Sequence, residues 1–312
     1  MRKQLVKCTL FLIALALFIP AKGWPIDAKR VVLPNGLTLL FSERHNLPII
    51  KATMLIKASP INEPEEKAGL ANLTAELLME GTKTRSSEEI SEAIEFIGGD
   101  LSVSTERDYT ELELSILKKD IKTGFSILSD ILLNPAFSEK EITRKRDILK
   151  GALRQREEDP SFLGSRAFRK AVFTTSHPYG RIIEGSTNTL DGITREDIIN
   201  FHKKWYRPNN AILSVVGDIS FDELNGLIQE FFGTWKPSEA NPPSIPPVSV
   251  PEKPEVITIQ KDLTQANIFI GHLGVKRSNP DYYALSVMNY ILGGGGFASR
   301  LMTRIRDDLG LA

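Results

Sequence analysis

A run of eighteen residues, Pro237–Pro254 (PSEANPPSIPPVSVPEKP), carries seven prolines and constrains this chain more than any other feature. Each proline fixes φ and removes a backbone donor, so neither a regular helix nor an interior strand passes through the stretch. It reads as an extended, semi-rigid linker; a proline-rich binding motif is the alternative. The linker, 237–254, separates residues 24–236 from residues 255–312, in keeping with a length that exceeds one ordinary domain.

Before the linker, Val31–Leu39 and Ile49–Ile56 read as strands, with Pro34-Asn35-Gly36 supplying a turn between Val32 and Leu37. Leu112, Leu114 and Ile116 alternate with Glu111, Glu113 and Ser115, the pattern of a sheet with one wet face. Ser86 with Glu89 and Ser138 with Glu141 have capping-box spacing, as have Ser220 and Glu223 after the apolar strand Ala211–Val216. After the linker the order recurs: Val256–Gln260 and Ile268–His272 read as strands, followed by a helix from Pro280 to Leu292. This is an internal repeat of element order. The second copy is short and stops at Leu311-Ala312 without a cap or turn signal, so it is expected to be incomplete.

Arg2, Lys3 and Lys7 precede an apolar run from Cys8 to Ile19, and Ala21-Lys22-Gly23 offers a cleavage site before Trp24. Residues 1–23 are expected to be an export signal; an uncleaved anchor would need a longer apolar run. Its removal takes four of the 39 basic residues, none of the 39 acidic ones and the single cysteine, leaving a net charge near −4. That balance gives no footprint for nucleic acid. No later apolar stretch is long enough for a membrane pass, so no membrane partner is expected after cleavage, and the expected location is periplasmic or secreted.

Residues Gly69–Thr82, GLANLTAELLMEGT, place Leu70, Leu73 and Leu77 on one helical stripe, with Asn72 and Glu76 four apart on another. Zinc peptidases of the inverted motif H-x-x-E-H carry two histidines at that spacing and a general base before the second. The segment resembles the GLAHFLEHMLFKGT-like helix of the pitrilysin and mitochondrial-processing-peptidase family, an inverzincin family, and matches it at Gly69, Leu70, Ala71, Leu78, Gly81 and Thr82. Asn72 stands at the first histidine, Ala75 at the base and Glu76 at the second histidine. The family's third ligand, a glutamate, falls at Ala152, or at Gly151 if the register slips by one. An amide, two methyls and one carboxylate do not make a tetrahedral zinc site. His45, His177, His202 and His272 do not pair at i+3 or i+4; a turn role suits His177 and a helix-end or packing role His202.

The resemblance extends from about Val31 to Ala312, through HPYGR at His177–Arg181, EGS at Glu184–Ser186 and FHKKWYRPNNAILSVVGDIS at Phe201–Ser220. LGGGGFASRLMTRIRDDLGLA, Leu292–Ala312, is similar to the start of the family's second-domain helix, where an arginine contacts substrate and a tyrosine follows seven residues later. Arg306 matches that arginine, and the tyrosine position falls just past Ala312. By spacing alone, Arg300, Arg304 and Arg306 make a solvated face paired with Asp307 and Asp308. Gly293, Gly294, Gly295 and Gly296 lack the Gly-Lys-Ser/Thr of a phosphate loop. They are either a flexible turn or, as the family implies, a loop that approaches peptide substrate.

The resemblance implies an α+β fold of antiparallel sheets with packed helices, in repeated processing-peptidase-like domains of which the second is truncated. It implies a non-catalytic, peptide-binding subunit of a zinc metallopeptidase, inactive alone, with no cofactor of its own and zinc only in a homologous partner. A stand-alone periplasmic binding or scaffold protein is the alternative. An active peptidase with an unfamiliar metal site is a third reading, for which no ligand cluster is found.

Overall fold

The computed structural model describes residues 27–174, 176–239, 243–248 and 253–311. The export signal expected at 1–23 lies outside the described residues, as does Ala312.

One sheet organises the part before the linker. Its strands are β1 (Lys29–Val32), β2 (Thr38–Glu43), β3 (Ile49–Ile56), β4 (Asp100–Thr105), β5 (Thr110–Leu117) and β6 (Ala211–Gly217), in the order β1-β2-β6-β3-β5-β4. The β1–β2 hairpin turns where expected. Gly36 takes φ +88°, the Leu37 amide donates to Asn35 Oδ1 at 3.2 Å, and Asn35 Nδ2 donates to the Phe232 carbonyl at 3.2 Å. The strand expected at Val31–Leu39 is thus two strands, the second running on to Glu43. All pairings are antiparallel except β2 with β6. The exception is topological: the chain folds back between β2 and β3, so a strand inserted between them must run parallel to one of the two.

The period-2 pattern of β5 is realised, with Leu112, Leu114 and Ile116 buried and Glu113 exposed. Helices α1 (Leu70–Glu76), α2 (Ser87–Phe96), α3 (Ile121–Leu133), α4 (Glu139–Arg156), α5 (Pro160–Phe173), α6 (Thr187–Asp191), α7 (Arg195–Trp205) and α8 (Phe221–Phe232) accompany the sheet. Ser86 and Glu89 form a reciprocal capping box, and Ser138 and Ser220 cap α4 and α8 by accepting from the amides of Glu141 and Glu223. Helix α3 packs so closely on β5 that a Cβ at Gly124 would lie 2.5 Å from Ile116 Cδ1. Phe125, Leu128, Ile131 and Leu132 fill the core from α3, and Phe125 meets Phe232 of α8 edge-on at 6.3 Å between centroids.

Asp130 on α3 anchors the loop that follows α1. Its Oδ2 accepts from Thr82 Oγ1 (2.8 Å), Thr84 Oγ1 (2.9 Å) and the Arg85 guanidinium (2.5 Å), and its Oδ1 from Asn134 Nδ2 (3.1 Å). Burial pushes this carboxyl up, and the four hydrogen bonds outweigh burial to hold it below its usual range. Asp130→Ala leaves these donors unpaired and is expected to cost about 2–4 kcal/mol, read from urea unfolding.

The described residues of 237–254 carry no helix or strand, and Asn209 pins the start of the segment by bonds to the Ser238 carbonyl (2.9 Å) and amide (3.2 Å). Beyond it lies a correction. Val256–Gln260 and Ile268–His272 are not strands, and no described residue of 254–276 lies in a sheet or helix. A strand is stabilised by its ladder and by burial of one face, and here Val256 and Ile270 are about 90% exposed. The segment instead lies along α5, with Phe269 over Gly164 and Gly271 against Phe168. Lys261 Nζ donates to the carbonyls of Glu157 (3.0 Å) and Glu158 (3.2 Å) past the end of α4, where a cation complements the helix dipole. The expected helix is present as α9 (Tyr282–Asn289), followed by a π-helical turn Tyr290–Gly294. The repeat of element order therefore survives only in its helix.

Candidate functional site

Helix α1 is set by its N-terminus. Gly69 precedes it with φ +99°. The buried Glu63 carboxylate accepts from the Gly69 amide through Oε1 (3.0 Å) and from the Ala71 amide through Oε2 (2.8 Å), satisfying two of the helix's orphan donors. Burial pushes the Glu63 carboxyl up to about 7, while the amides of Ala71 and Gly69 and the Arg181 charge pull the other way. Loop 184–185 closes over this end: a Cβ at Gly185 would lie 2.1 Å from the Ala68 carbonyl oxygen. That loop is held through HPYGR. His177 Nδ1 accepts from the Tyr179 amide at 3.1 Å, the turn role expected of it, and Arg107 donates to the carbonyls of Tyr179 (3.3 Å) and Arg181 (3.2 Å).

The expected apolar stripe Leu70, Leu73, Leu77 is buried, and so are Ala71, Ala75 and Leu78, so most of α1 faces the interior. The remaining face opens on a cavity of about 420 Å³, lined by Asn72, Glu76 and Met79, by Val103, Ser104 and Thr105 of β4, and by Lys145 of α4. Asn72 Nδ2 donates to Glu76 Oε1 at 2.9 Å. Lys145 Nζ lies 3.6 Å from Glu76 Oε2 and 2.6 Å from Glu80 Oε1. Arg144 bridges Glu80 and Glu141 beside it. The Thr105 hydroxyl, on a residue only 9% exposed, has no hydrogen-bond partner among the described residues.

These residues do not fit zinc. Ala75 lies in the core and Ala152 is solvent-exposed on α4, two turns beyond Lys145. The cleft offers the Glu76 carboxylate, the Asn72 amide oxygen and an ammonium, with the neighbouring Glu80 carboxylate held by Lys145 and Arg144, where a divalent ion needs three or four donors of the N, O or S type. Among the described residues, no three His, Cys, Asp or Glu side chains converge as a metal site. His202 is half-buried between Tyr206 and Phe137, and its Nε2 meets the Leu132 carbonyl at 2.9 Å; desolvation first, then the Arg207 charge, lower its pKa to about 4 against that bond's opposing pull.

The second group of candidate residues contributes nothing to the lining of the cleft, which comes from residues between positions 72 and 145. The structure brings Arg306 to the glycine-rich turn: its guanidinium lies 5.1 Å over the ring of Phe297, next after Gly293–Gly296. Gly296 takes φ +62°, and a Cβ at Gly293 would meet Leu301 Cδ1 at 3.1 Å. Arg304, not Arg306, pairs with Asp308, at 3.0 Å. Residues that sequence reasoning missed are Glu63, Glu80, Thr105 and Lys145. Lys145 lies seven residues before Ala152, the spacing of one helical face, but within RKRDILK nothing distinguishes it from its basic neighbours.

Residues 39–181 match the family model described as insulinase (peptidase family M16), and residues 192–312 the one described as peptidase M16 inactive domain. An uncharacterized zinc protease of Mycobacterium leprae is 28% identical over 288 residues, 91% of this chain and 64% of that protein. One of Rickettsia felis is 28% identical over 283 residues, 90% of this chain and 67% of that protein. The chain thus spans about two thirds of the length of these relatives. Among solved structures, a peptidase M16 inactive domain from Pseudomonas fluorescens superposes with a TM-score of 0.80 at 23% identity, covering 91% of this chain and 68% of that one. A protease from Helicobacter pylori gives 0.77 at 23% identity, covering 90% and 68%.

Proposed function

From the premise that the chain belongs to the insulinase (M16) peptidase family, we propose that it is a non-catalytic, peptide-binding subunit that works with a zinc-bearing homologue. One observation carries this reading: α1 keeps its place beside β4, while its open face carries a hydrogen-bonded Asn72–Glu76 pair and Lys145 instead of ligands and a base. Cleavage of a peptide on zinc requires a Lewis acid and a base on one surface, and this surface supplies neither.

The sheet edge supports the peptide-binding part of this reading. Among the described residues β4 pairs only with β5, so its other edge presents backbone donors and acceptors along Asp100–Thr105. An extended peptide adds to such an edge by main-chain hydrogen bonds, and the cleft beside Val103–Thr105 receives its side chains. In a mixed complex the partner supplies zinc and base, and this chain supplies Arg306, whose fork of donors suits a carbonyl or carboxylate, together with the turn Gly293–Gly296. Export directed by residues 1–23 would place the complex in the periplasm or outside the cell. Among the described residues, no helix is long and apolar enough to cross a membrane.

The test is reconstitution with a homologue that carries an intact H-x-x-E-H motif. The mixture is expected to cleave peptide, and the chain alone is not. Arg306→Ala should lower the rate of the mixture without removing its zinc, by about 1.5–3 kcal/mol or one to two powers of ten. If no complex forms, or if Arg306→Ala leaves the rate unchanged, the stand-alone binding or scaffold reading takes its place.

A further inference from the structure

We infer that the Lys145 ammonium occupies the cation position of the α1–α4 cleft, so that the chain closes this site to divalent metal with a charge of its own, beyond the loss of ligands. This inference does not depend on any partner. Two carboxylates face the ammonium from α1 and the turn after it: Glu80 at 2.6 Å and Glu76 at 3.6 Å. Glu76 is oriented by Asn72 through its other oxygen at 2.9 Å. Behind Glu80 stands Arg144, itself paired with Glu141 at 2.6 Å. Charges alternate through this row, and each is next to its opposite.

The row is partly withdrawn from solvent. The Lys145 side chain is 18% exposed and that of Glu80 11%, so the pair is less screened than a surface ion pair. Lys145 cannot swing into water without leaving Glu80 to Arg144 alone. The ammonium is therefore a fixed feature of the cleft. An ion bound by groups at positions 72 and 76 would sit about 2.0–2.1 Å from its nitrogen donors. With Lys145 Nζ only 3.6 Å from Glu76 Oε2, the ion and the ammonium would be roughly 4–6 Å apart, close enough for strong repulsion between partly buried charges. Helix α1 lies in the core and cannot shift to relieve it.

Restoring the histidines alone therefore should not restore metal binding, and removing the ammonium should. The measurement is zinc chloride titration by calorimetry of the Asn72→His/Glu76→His chain, with and without Lys145→Met, each checked for its fold by circular dichroism. Two imidazoles at i, i+4 on one helix face form a ready chelate, and Glu80, freed of Lys145, is a nearby oxygen donor. Lys145→Met is expected to tighten zinc binding at least about 100-fold and to add a zinc-dependent rise in melting temperature. Lys145→Arg, which keeps the charge, is expected to leave binding as weak as in the Asn72→His/Glu76→His chain. Lys145→Gln serves if the Lys145→Met chain does not fold. Equal zinc affinity with and without the ammonium overturns the inference, as does failure of the charge-free variants to bind zinc at all. Tight binding by the Lys145→Arg variant would also overturn it.

Discussion

Glu63→Gln is expected to flatten the pH dependence of stability between about pH 4.5 and pH 7. In the fold, burial pushes the Glu63 carboxyl up to about 7, against a value of 4.5 for the free side chain. The native state therefore holds this proton over a range in which the unfolded chain has released it. Stability is then greatest below the unfolded value and falls as pH rises, by roughly 3 kcal/mol in all, with no further change above about 7. The glutamine amide cannot ionise, so the variant lacks this loss. Urea unfolding of both proteins at several pH values isolates the contribution, because every other titrating group is shared. The stability difference should grow in favour of glutamine up to about pH 7 and then level off. A difference that does not change with pH would show that Glu63 is not buried as a carboxyl against the start of α1. Glu63→Ala, which leaves the amides of Gly69 and Ala71 unpaired, should cost about 2–5 kcal/mol below about pH 4.5, and less as pH rises toward 7 because the parent loses stability over that range and alanine does not titrate.

The second large effect is expected at Gly185, where the loop crosses the same helix end. The residue sits at φ +80°, and a Cβ there would lie 2.1 Å from the Ala68 carbonyl oxygen and 2.7 Å from its carbon. Both neighbours are backbone and cannot rotate away. Gly185→Ala thus combines left-handed strain of about 1–2 kcal/mol with overpacking of about 1–3 kcal/mol, and a loss of some 3–5 kcal/mol is expected in thermal or urea unfolding. Gly226→Ala is the control: it lies within α8 with nothing in 4 Å of the added carbon, and alanine there should stabilise by about 0.5–1 kcal/mol. A Gly185→Ala chain as stable as the parent would mean that the loop does not close on α1 as described.

Much of the architecture was legible because it rests on local rules. The alternation of β5, the Pro34-Asn35-Gly36 turn and the capping residues Ser86, Ser138 and Ser220 all act within a few residues of one another, and each appears where expected. Local rules failed at Val256–Gln260 and Ile268–His272. Apolar, β-branched residues there mark a capacity to pair, but pairing is a property of a neighbour, and the described residues supply none. The parallel register of β2 with β6 was equally out of reach, since it follows from where β6 enters the sheet after a long helical excursion.

For the site, the sequence by itself determined what is missing. Asn72, Ala75 and Glu76 hold the positions of a metal motif without its chemistry, and no fold turns those side chains into two imidazoles and a base. What fills the gap was decided only by tertiary structure. Lys145 is 69 positions from Glu76, and Glu63 reaches the start of α1 through a turn that ends six residues later. Charge–charge contact and burial depend on distance in space, and chain separation does not encode it. The fold brings the ammonium to the two carboxylates, which sets the electrostatics of the cleft, and withdraws Glu63 from water at the start of the same helix.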